Sequence, residues 1–449
     1  MKKIAGLAVI AIASSLISPV QSFATAPKAG ATCTKLGSTS IAANKKFTCV
    51  KSGKKFVWDK GSKVAKLASP TPSSSPTPSA SPTPAPTSKA SSKPTAADLP
   101  IPITLPVAQT GSITFANAVA NYAQIPQTAW QRTQDVITAN PAVNVPTTIH
   151  IGPNTKASLT AINAGLNRIH KLFAGFRHVS NYYGIVYNAQ DVQWAQADAF
   201  DIFNKSGSKS YAAKKDQIKR ASEAGCEMNG STVVNCGGGM SIEFGDVREE
   251  AGGAYYGVQS DGDYWTDATK FQGPMTQVNH EAMHTYQSTQ IIYTPFGKNQ
   301  NILSDLMHDA TPWWFSEGQA NGIGIPTFVD NLPDYLRIRN DTVTRNPGSR
   351  STIPAFTEAG MKAFLNGQEI AGPQNKNWLL AYSVGFATVE VLIAIGGPQS
   401  TLALYTLAAK GEDWPTAFEH VYGISWVEGS TVLAKVLAAE YAALPMSTR

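Results

Sequence analysis

The chain has 449 residues, of which 43% are hydrophobic and 15% are charged. This composition supplies enough apolar side chains for a sizeable buried core and excludes a largely disordered protein. The net charge of +6 is unevenly distributed, because residues 25–66 carry ten lysines and one acid, whereas residues 98–449 carry a net charge of −7. The four cysteines are an even number, which fits two disulfides in an oxidising compartment.

The first 24 residues have the pattern of a signal peptide. Lys2 and Lys3 precede an apolar run over 4–17, and small residues follow it. This run is shorter than the roughly 20 residues that a membrane-spanning helix needs. We predict cleavage after Ala24, with Ala26 as the alternative site and an uncleaved anchor as the competing interpretation. The mature protein is expected to be secreted, without a transmembrane segment, or held at the cell wall by other means.

Residues 25–66 form a small basic module with two cysteines, Cys33 and Cys49. So short a segment cannot bury much apolar surface, and a Cys33–Cys49 disulfide is therefore expected to stabilise it. The run Gly-Lys-Lys-Phe-Val-Trp at 53–58 predicts a short strand. The pattern resembles small two-cysteine modules found beside linkers in exported actinobacterial proteins. The lysines predict an anionic cell-envelope polymer as a partner, and not nucleic acid.

Residues 67–97 form a Ser/Thr/Pro-rich linker, with Ser-Pro-Thr-Pro units between 69 and 86. Such a segment has almost no apolar surface to bury and stays extended. At about 3.1 Å per residue, the linker reaches on the order of 90 Å. Residues 98–449 then form the main domain.

In the main domain, predicted strands come before a mostly helical part. The spacing of apolar residues over 157–173 predicts an amphipathic helix. Cys226 and Cys236 flank a polar loop and are close enough in sequence for a local disulfide. From Pro274 onward the pattern is mostly helical, so we predict an α+β fold with a sheet-bearing N-terminal lobe, a helical C-terminal lobe and a site between them. The predicted strands are the aromatic and β-branched runs 183–187, 240–244 and 254–258.

The sequence His280-Glu281-Ala282-Met283-His284 lies at the junction of these two parts. Residues i and i+4 share one face of a helix, so His280 and His284 can bind one metal ion. Glu281 is then close to a metal-bound water and can take its proton as the general base. The competing interpretation is a pair of ordinary core histidines on one helix.

A third ligand is needed, because zinc in hydrolases usually keeps three protein ligands and one open position. A metzincin would have glycine and histidine where Gln287 and Gln290 follow His284, which excludes that class. Glu317 is the preferred ligand, because apolar residues run directly up to it and a buried carboxylate needs a compensating charge. Asn321, one helical turn later, is expected to orient an imidazole. The alternative ligands are Asp305, His308 and Asp309.

The segment Trp-Trp-Phe-Ser-Glu-Gly-Gln-Ala at 313–320 resembles the gluzincin metallopeptidases. It is most similar to their peptidase MA-like branch, whose third ligand lies in a W-x-x-E-G-x-A helix. The stretches 382–386, 395–397 and 417–425 are also similar, and the resemblance extends over 272–440. One departure is Asn-Gly-Ile-Gly at 321–324, where two glycines predict an early end of the helix. The residues that match the motif are Trp314, Glu317, Gly318 and Ala320.

The resemblance implies a secreted zinc-dependent endopeptidase that hydrolyses peptide bonds by metal-activated water, with Glu281 as the general base. Tyr382 is the predicted donor to the developing oxyanion, and an ordinary core tyrosine is the competing interpretation. An extended peptide substrate is expected to pair with an edge strand over 252–257. Two other functions stay open: a catalytically inactive envelope-binding protein, and a zinc hydrolase that acts on cell-wall crosslinks. Weaker options for the donor are Tyr286, His308 and His420, and structural or surface roles are expected for His150, His170 and His178.

Overall fold

The computed structural model describes residues 28–32, 39–42, 45–53, 55–63, 99–155, 157–179, 181–188, 191, 193–198, 226–229, 232–236, 238–244, 251–258, 274–291, 311–344, 356–368 and 377–444. The chain divides into two compact units, Met1–Ser88 and Lys89–Arg449. The predicted signal peptide (1–24) lies outside the described residues, and so does the predicted linker (67–97).

The smaller unit contains a four-stranded antiparallel sheet in which β2 pairs with all three other strands. Phe47 and Cys49 on β2 are buried, and Cys49 is disulfide-bonded. Its predicted partner, Cys33, lies outside the described residues, so the Cys33–Cys49 pairing stays a prediction. The strands are β1 (Thr39–Ala42), β2 (Lys45–Ser52), β3 (Lys55–Trp58) and β4 (Ser62–Lys63).

The larger unit contains a mixed sheet with the strand order β5-β6-β10-β9, and β7 and β8 form a separate pair. The strands are β5 (Thr147–Ile151), β6 (Asn181–Asn188), β7 (Cys226–Asn229), β8 (Thr232–Cys236), β9 (Gly238–Phe244) and β10 (Ala251–Val258). β6 is parallel to both β5 and β10, whereas β9 is antiparallel to β10. Each of the three runs predicted as strands lies within one of these strands, namely β6, β9 and β10.

The strand predicted at the sheet edge is internal. The run 252–257 belongs to β10, which pairs with β6 on one side and with β9 on the other. Among the described strands, β5 and β9 are the two edges of this sheet. The prediction of an edge at 252–257 is therefore wrong, because a sequence pattern can identify a strand without identifying its neighbours.

The pair β7–β8 bears on the second predicted disulfide. Its register places Cys226 opposite Cys236. Directly opposed residues of an antiparallel pair have Cα atoms about 4.5–5.5 Å apart, which is within the range that a disulfide spans. The backbone register is compatible with a local Cys226–Cys236 bridge, which stays a prediction.

Every described element from Pro274 onward is helical. Together with the sheets this makes an α+β fold and confirms the predicted class. The helix predicted over 157–173 is α2, and the side chain of Ser158 caps its first turn by accepting a hydrogen bond from the N–H of Ala161. The helices are α1 (Ile125–Ala139), α2 (Leu159–Leu172), α3 (Pro274–Ile291), α4 (Trp313–Phe328), α5 (Leu332–Thr344), α6 (Glu358–Asn366), α7 (Val384–Gly396), α8 (Pro398–Ala409), α9 (Trp414–Tyr422) and α10 (Trp426–Ala443).

Helix α4 is almost entirely enclosed by the rest of the fold. Of its 16 residues, 15 are buried, and it packs against both α3 and α7. A buried helix end needs partners for its last carbonyl groups. Arg168 on α2 supplies one, because its Nε donates to the carbonyl oxygen of Thr327 at 2.7 Å. The position of α4 is therefore fixed along its length and at its C-terminal end.

Glycines allow α4 to approach its neighbours closely. A Cβ atom on Gly318 would lie 2.4 Å from the carbonyl carbon of Gly385 on α7, and one on Gly324 would lie 2.7 Å from the backbone nitrogen of His280 on α3. Neither contact leaves room for a side chain. The early helix end predicted from Gly322 and Gly324 is wrong, because α4 continues through both residues and tertiary packing outweighs the low helix propensity of glycine.

Among the residues that the structure describes, one helical stretch, Trp378–Gly396, is long and apolar enough to cross a membrane by its length and composition. In the structure, 83% of its apolar window is buried inside the protein. Arg132 on α1 donates to the carbonyl oxygens of Ala394 and Ile395, at 2.9 and 2.7 Å, near the end of this stretch. Its surroundings in the fold are thus those of a core helix.

We predict that Gly318→Ala lowers the free energy of unfolding by about 2–3 kcal/mol, because the new methyl group pushes α4 away from the backbone of α7. Gly322→Ala is the matched control on the same helix. Its Cβ would meet a methyl group of Val389 at 2.9 Å, and a side chain yields more easily than backbone. Both variants gain about 1 kcal/mol of helix propensity, so the difference between them reports the backbone contact at Gly318. Urea unfolding followed by circular dichroism measures both variants, and equal losses would contradict the backbone constraint.

Candidate metal centre

Helix α3 carries both histidines of the motif into the interior. Val278 and Met283 are fully buried on this helix. His280 is 9% exposed and His284 is 6% exposed, and the centroids of their rings are 4.8 Å apart. The i, i+4 spacing therefore brings both imidazoles to one face of the helix, in agreement with the sequence pattern.

Helix α4 brings Glu317 to the same point. Its Oε2 atom lies 3.3 Å from Nε2 of His280 and 3.4 Å from Nε2 of His284. The two Nε2 atoms are 3.2 Å apart. The structure thus brings together the three residues that the sequence selected as ligands. The alternative third ligands Asp305, His308 and Asp309 lie outside the described residues.

These three ligand atoms lie within 4.8 Å of one another and could hold a metal ion. Two imidazole nitrogens and one carboxylate oxygen form a donor set that suits divalent transition metals. Two nitrogen lone pairs and a carboxylate at such short distances repel one another unless a proton or a metal ion lies between them. The donor atoms therefore fit a metal ion at their common focus.

The charged groups of the site shift each other's protonation. Burial alone would lower the pKa of His284, but the charges of Glu317 and Glu281, together with hydrogen bonds to Glu317 and Gln287, outweigh burial and raise the pKa to about 9. Burial alone would raise the pKa of Glu317, but His284 and His280 outweigh it and lower the pKa below its ordinary value. In the metal-free protein, His284 therefore holds a proton at neutral pH.

Two amide side chains contact the far nitrogens of the histidine rings. Nδ1 of His280 lies 2.8 Å from Oδ1 of Asn321, and Nδ1 of His284 lies 2.7 Å from Oε1 of Gln287. Asn321 thus contacts an imidazole, as its position one turn after Glu317 indicated. No contact with a ligand was predicted for Gln287, although its place three residues after His284 on a helix is a signal for such a contact.

Tyr382 reaches the site from the 3-10 segment Trp378–Tyr382. Its ring stacks on the ring of His280, with centroids 6.2 Å apart and an interplanar angle of 18°. Burial, the charges of Glu317 and Glu281 and a hydrogen bond with Glu317 raise the pKa of its hydroxyl well above the ordinary value. The hydroxyl is therefore protonated at neutral pH and lies beside the carboxylate ligand.

The weaker candidates for the second donor have other partners. The hydroxyl of Tyr286 lies 2.8 Å from Nδ1 of the buried His170. His420 has a half-exposed side chain and lies 3.1 Å from Glu412, and His308 is outside the described residues. Structural or surface partners are also found for the remaining histidines: His150 with Asp198, and His178 with the carbonyl oxygen of Val179.

No protein-family model, no curated protein and no solved structure matches this chain. The functional interpretation therefore depends on the sequence motif and on the geometry of the site.

We predict that the metal-free protein loses stability as the pH rises from about 6.5 to about 9. The pKa of His284 is raised from 6.5 to about 9 by folding. A raised pKa stabilises the fold fully below pH 6.5, and this contribution is lost as the pH rises through about 9. The unfolding temperature of chelator-treated protein, measured at constant ionic strength, reports the loss.

The matched control is His284→Gln in the same buffers. This variant lacks the imidazole whose pKa folding raises and keeps His280 beside Glu317, so the difference in pH dependence between the two proteins isolates the contribution of His284. An identical pH dependence in the wild type and the variant would contradict the ion pair between His284 and Glu317.

Proposed function

We propose that this chain is a zinc-dependent endopeptidase of the gluzincin type, close to the peptidase MA-like branch. One observation carries the proposal: two histidines of an H-E-x-x-H helix and a glutamate from a second helix converge within 4.8 Å in a buried site. The glutamate lies in the segment whose residues match W-x-x-E-G-x-A. Position 318 of this segment requires glycine, because the backbone of α7 occupies the space that a side chain would need.

Zinc is the metal that this donor set favours. Zinc hydrolases commonly use two histidines and one glutamate and keep a fourth position open for water or substrate. His280, His284 and Glu317 would hold the ion, and together they carry a charge of −1 when both imidazoles are neutral. A zinc ion bound there supplies a Lewis acid and lowers the pKa of a bound water to about 7.

The protein residues around the ligands have distinct proposed roles. Glu281 follows the first ligand on α3, is 5% exposed, and would accept a proton from the attacking water and return it to the leaving amine. The hydroxyl of Tyr382, which is protonated at neutral pH because its pKa is raised, would donate a hydrogen bond to the oxyanion that develops on the substrate. The two groups belong to separate elements and would act on different atoms. Glu281 would take the proton of the attacking water, and Tyr382 would stabilise the negative charge on the substrate oxygen.

An extended substrate would bind along the edge of the sheet. β9 and β10 both pack against α3, the helix that carries two ligands. Among the described strands, β5 and β9 are the edges of the sheet, and β9 is an edge that packs against α3, so β9 would be the strand that pairs with a peptide. We further propose that a sheet-bearing lobe and a helical lobe lie on the two sides of the metal site. We also propose that the protein is secreted and that it contains two local disulfides.

The same assays also test two other functions. An inactive envelope-binding protein would keep the basic module and cleave nothing, and a cell-wall hydrolase would release fragments from purified walls. Glu281, buried beside His284, favours an active enzyme because it is the group that water activation requires. Unfolded casein and purified cell walls, tested side by side, distinguish the three functions.

We predict that Glu281→Gln retains zinc and loses casein cleavage by a factor of about 10³ or more, because removing a general base costs about 10²–10⁴ in rate. Glu317→Ala should instead lose zinc, because only two ligands remain. Metal analysis after dialysis and the initial rate of casein cleavage measure the two effects in parallel.

Glu358→Gln is the matched control, since Glu358 is an exposed residue in the first turn of α6. It should match the wild type in zinc content and rate. Full zinc content together with full activity in Glu317→Ala would exclude Glu317 as the third ligand, and activity in Glu281→Gln would exclude Glu281 as the base.

We also propose that the basic module binds an anionic polymer of the cell envelope. Lys45, Lys51 and Lys55 of the small sheet are exposed, and Phe56, opposite Lys51 in the register, is 38% exposed. The single acid, Asp59, accepts 2.9 Å hydrogen bonds from the backbone N–H groups of Thr48 and Gly61. The positive charge of the module is therefore left almost uncompensated and is available to a polyanion.

We predict that the full-length protein binds polyphosphate beads and elutes with salt, because exposed charges are screened over about 8 Å at physiological ionic strength. Lys51→Glu/Lys55→Glu should elute at lower salt. The matched control, Lys410→Glu/Lys435→Glu, makes the same change in net charge at exposed positions of the larger unit and should elute like the wild type. Equal shifts in both variants, or elution that ignores salt, would refute the proposal.

A further inference from the structure

We propose that Gln287 is a positioning residue that decides which ring nitrogen of His284 faces the metal. The inference rests on the proposed metal site and extends it to a residue that touches neither metal nor substrate. Gln287 is fully buried, and both ends of its amide make hydrogen bonds. One end contacts a ligand on α3, and the other end contacts the part of α4 that carries Glu317.

The orientation of the Gln287 amide follows from its neighbours. Its Nε2 atom lies 2.9 Å from the carbonyl oxygen of Ser316, which can only accept a hydrogen bond. The reversed amide would place two oxygens against each other, so Nε2 must be the donor at this end. Its Oε1 atom is then the acceptor that faces Nδ1 of His284 at 2.7 Å.

A second contact supports the same orientation. Nε2 of Gln287 also donates to Oε1 of Gln319 at 2.8 Å, and Nε2 of Gln319 donates to the hydroxyl oxygen of Thr401 at 2.8 Å. The hydroxyl of Thr401 in turn donates to the carbonyl oxygen of Pro398 at 2.6 Å. Each donor in this series of hydrogen bonds points away from His284. The series ends on a backbone carbonyl, which can only accept, so the direction of the hydrogen bonds cannot be reversed.

The fixed amide determines the tautomer of the ligand. Because Oε1 of Gln287 can only accept, Nδ1 of His284 must carry the hydrogen. The lone pair of the neutral ring is then on Nε2, which is the atom 3.4 Å from Glu317. Metal-binding histidines depend on such partners for ring orientation and tautomer.

A similar pair of hydrogen bonds fixes the ring of His280 and ends on a different carbonyl group. Nδ2 of Asn321 donates to the backbone oxygen of Tyr382 at 2.8 Å, so Oδ1 of Asn321 accepts from Nδ1 of His280. The two amides therefore select Nε2 on both rings. The two amides differ in one respect. Gln287 also links α3 to Ser316, the residue before Glu317, because it donates a hydrogen bond to the carbonyl oxygen of Ser316.

Gln290 provides a matched comparison on the same helix. It is as fully buried as Gln287 and also links α3 to other elements. Its Nε2 donates to the carbonyl oxygen of Arg177 at 2.8 Å, and its Oε1 accepts from the hydroxyl of Thr406 at 3.1 Å. It makes no hydrogen bond to a ligand, so its loss should affect stability and not the metal.

The experiment compares Gln287→Met with Gln290→Met in the full-length protein. Methionine keeps the length of the side chain and removes its hydrogen bonds. Both variants should lower the unfolding midpoint of the chelator-treated protein. Only Gln287→Met should weaken zinc binding, by about 10–100-fold, as measured by competition with a chromophoric chelator. Equal zinc affinities in the two variants would overturn the proposal.

A second measurement avoids the risk that Gln287→Met fails to fold. Nitrogen-15 NMR of the histidine rings in zinc-loaded wild-type protein should find zinc on Nε2 and hydrogen on Nδ1 for both His280 and His284. Zinc on Nδ1 of His284 would overturn the inference. If the wild type binds no zinc at all, the proposed function fails first. If zinc binds on Nε2 but Gln287→Met leaves affinity unchanged, only the role of Gln287 fails.

Discussion

The close approach of α4 to the backbones of α3 and α7 is the constraint on which the rest of the larger unit depends. Helices that touch through side chains lie about 8–10 Å apart. Here Gly318 and Gly324 remove the side chains at the two contacts, and backbone atoms occupy the space. Glu317 directly precedes the first of these glycines, and its carboxylate reaches the imidazoles on α3. The geometry of the site is therefore a consequence of helix packing.

Buried charge is compensated in two different ways in this fold. Arg339 pairs with Glu390 at 2.8 Å and with Glu440, so one permanently charged guanidinium serves two buried carboxylates. At the candidate metal centre, the positive charge that faces Glu317 comes from imidazoles and depends on a proton. The first arrangement thus has a fixed positive charge supplied by the protein. The charge balance around Glu317 becomes independent of pH only when a metal ion replaces the proton. For this reason the residues around Glu317 indicate a functional site, whereas the ion pairs of Arg339 indicate a structural one.

The amides around the centre connect its chemistry to the packing of the fold. Asn321 and Gln287 carry no charge, and each is oriented by a backbone carbonyl, one from Tyr382 and one from Ser316. These carbonyls belong to elements whose positions the close helix contacts already fix. Ring orientation at the site is thus set by the same packing that brings His280, His284 and Glu317 together. Neutral partners also leave the charge of the site to its ligands and to Glu281.

Local patterns in the sequence were enough to predict several of the helices and strands, including the helix that carries both histidines. Helical periodicity identified α2, β-branched and aromatic runs identified parts of β6, β9 and β10, and the spacing of the two histidines required a shared helix face. Prediction failed where the answer depended on neighbours. The run 252–257 was expected at an edge and is internal, and α4 was expected to end early but continues through two glycines.

The sequence by itself determined the α+β class, the H-E-x-x-H helix and the residue types of the ligand set, because these follow from periodicity, spacing and donor chemistry. Only the tertiary structure decided that Glu317 meets both imidazoles, that Tyr382 stacks on His280 and that Gln287 holds His284. These contacts join residues from elements that are separate in the chain, and their distances depend on how closely the helices pack. No local pattern encodes that approach, since a glycine lowers helix propensity equally whether or not a backbone lies against it.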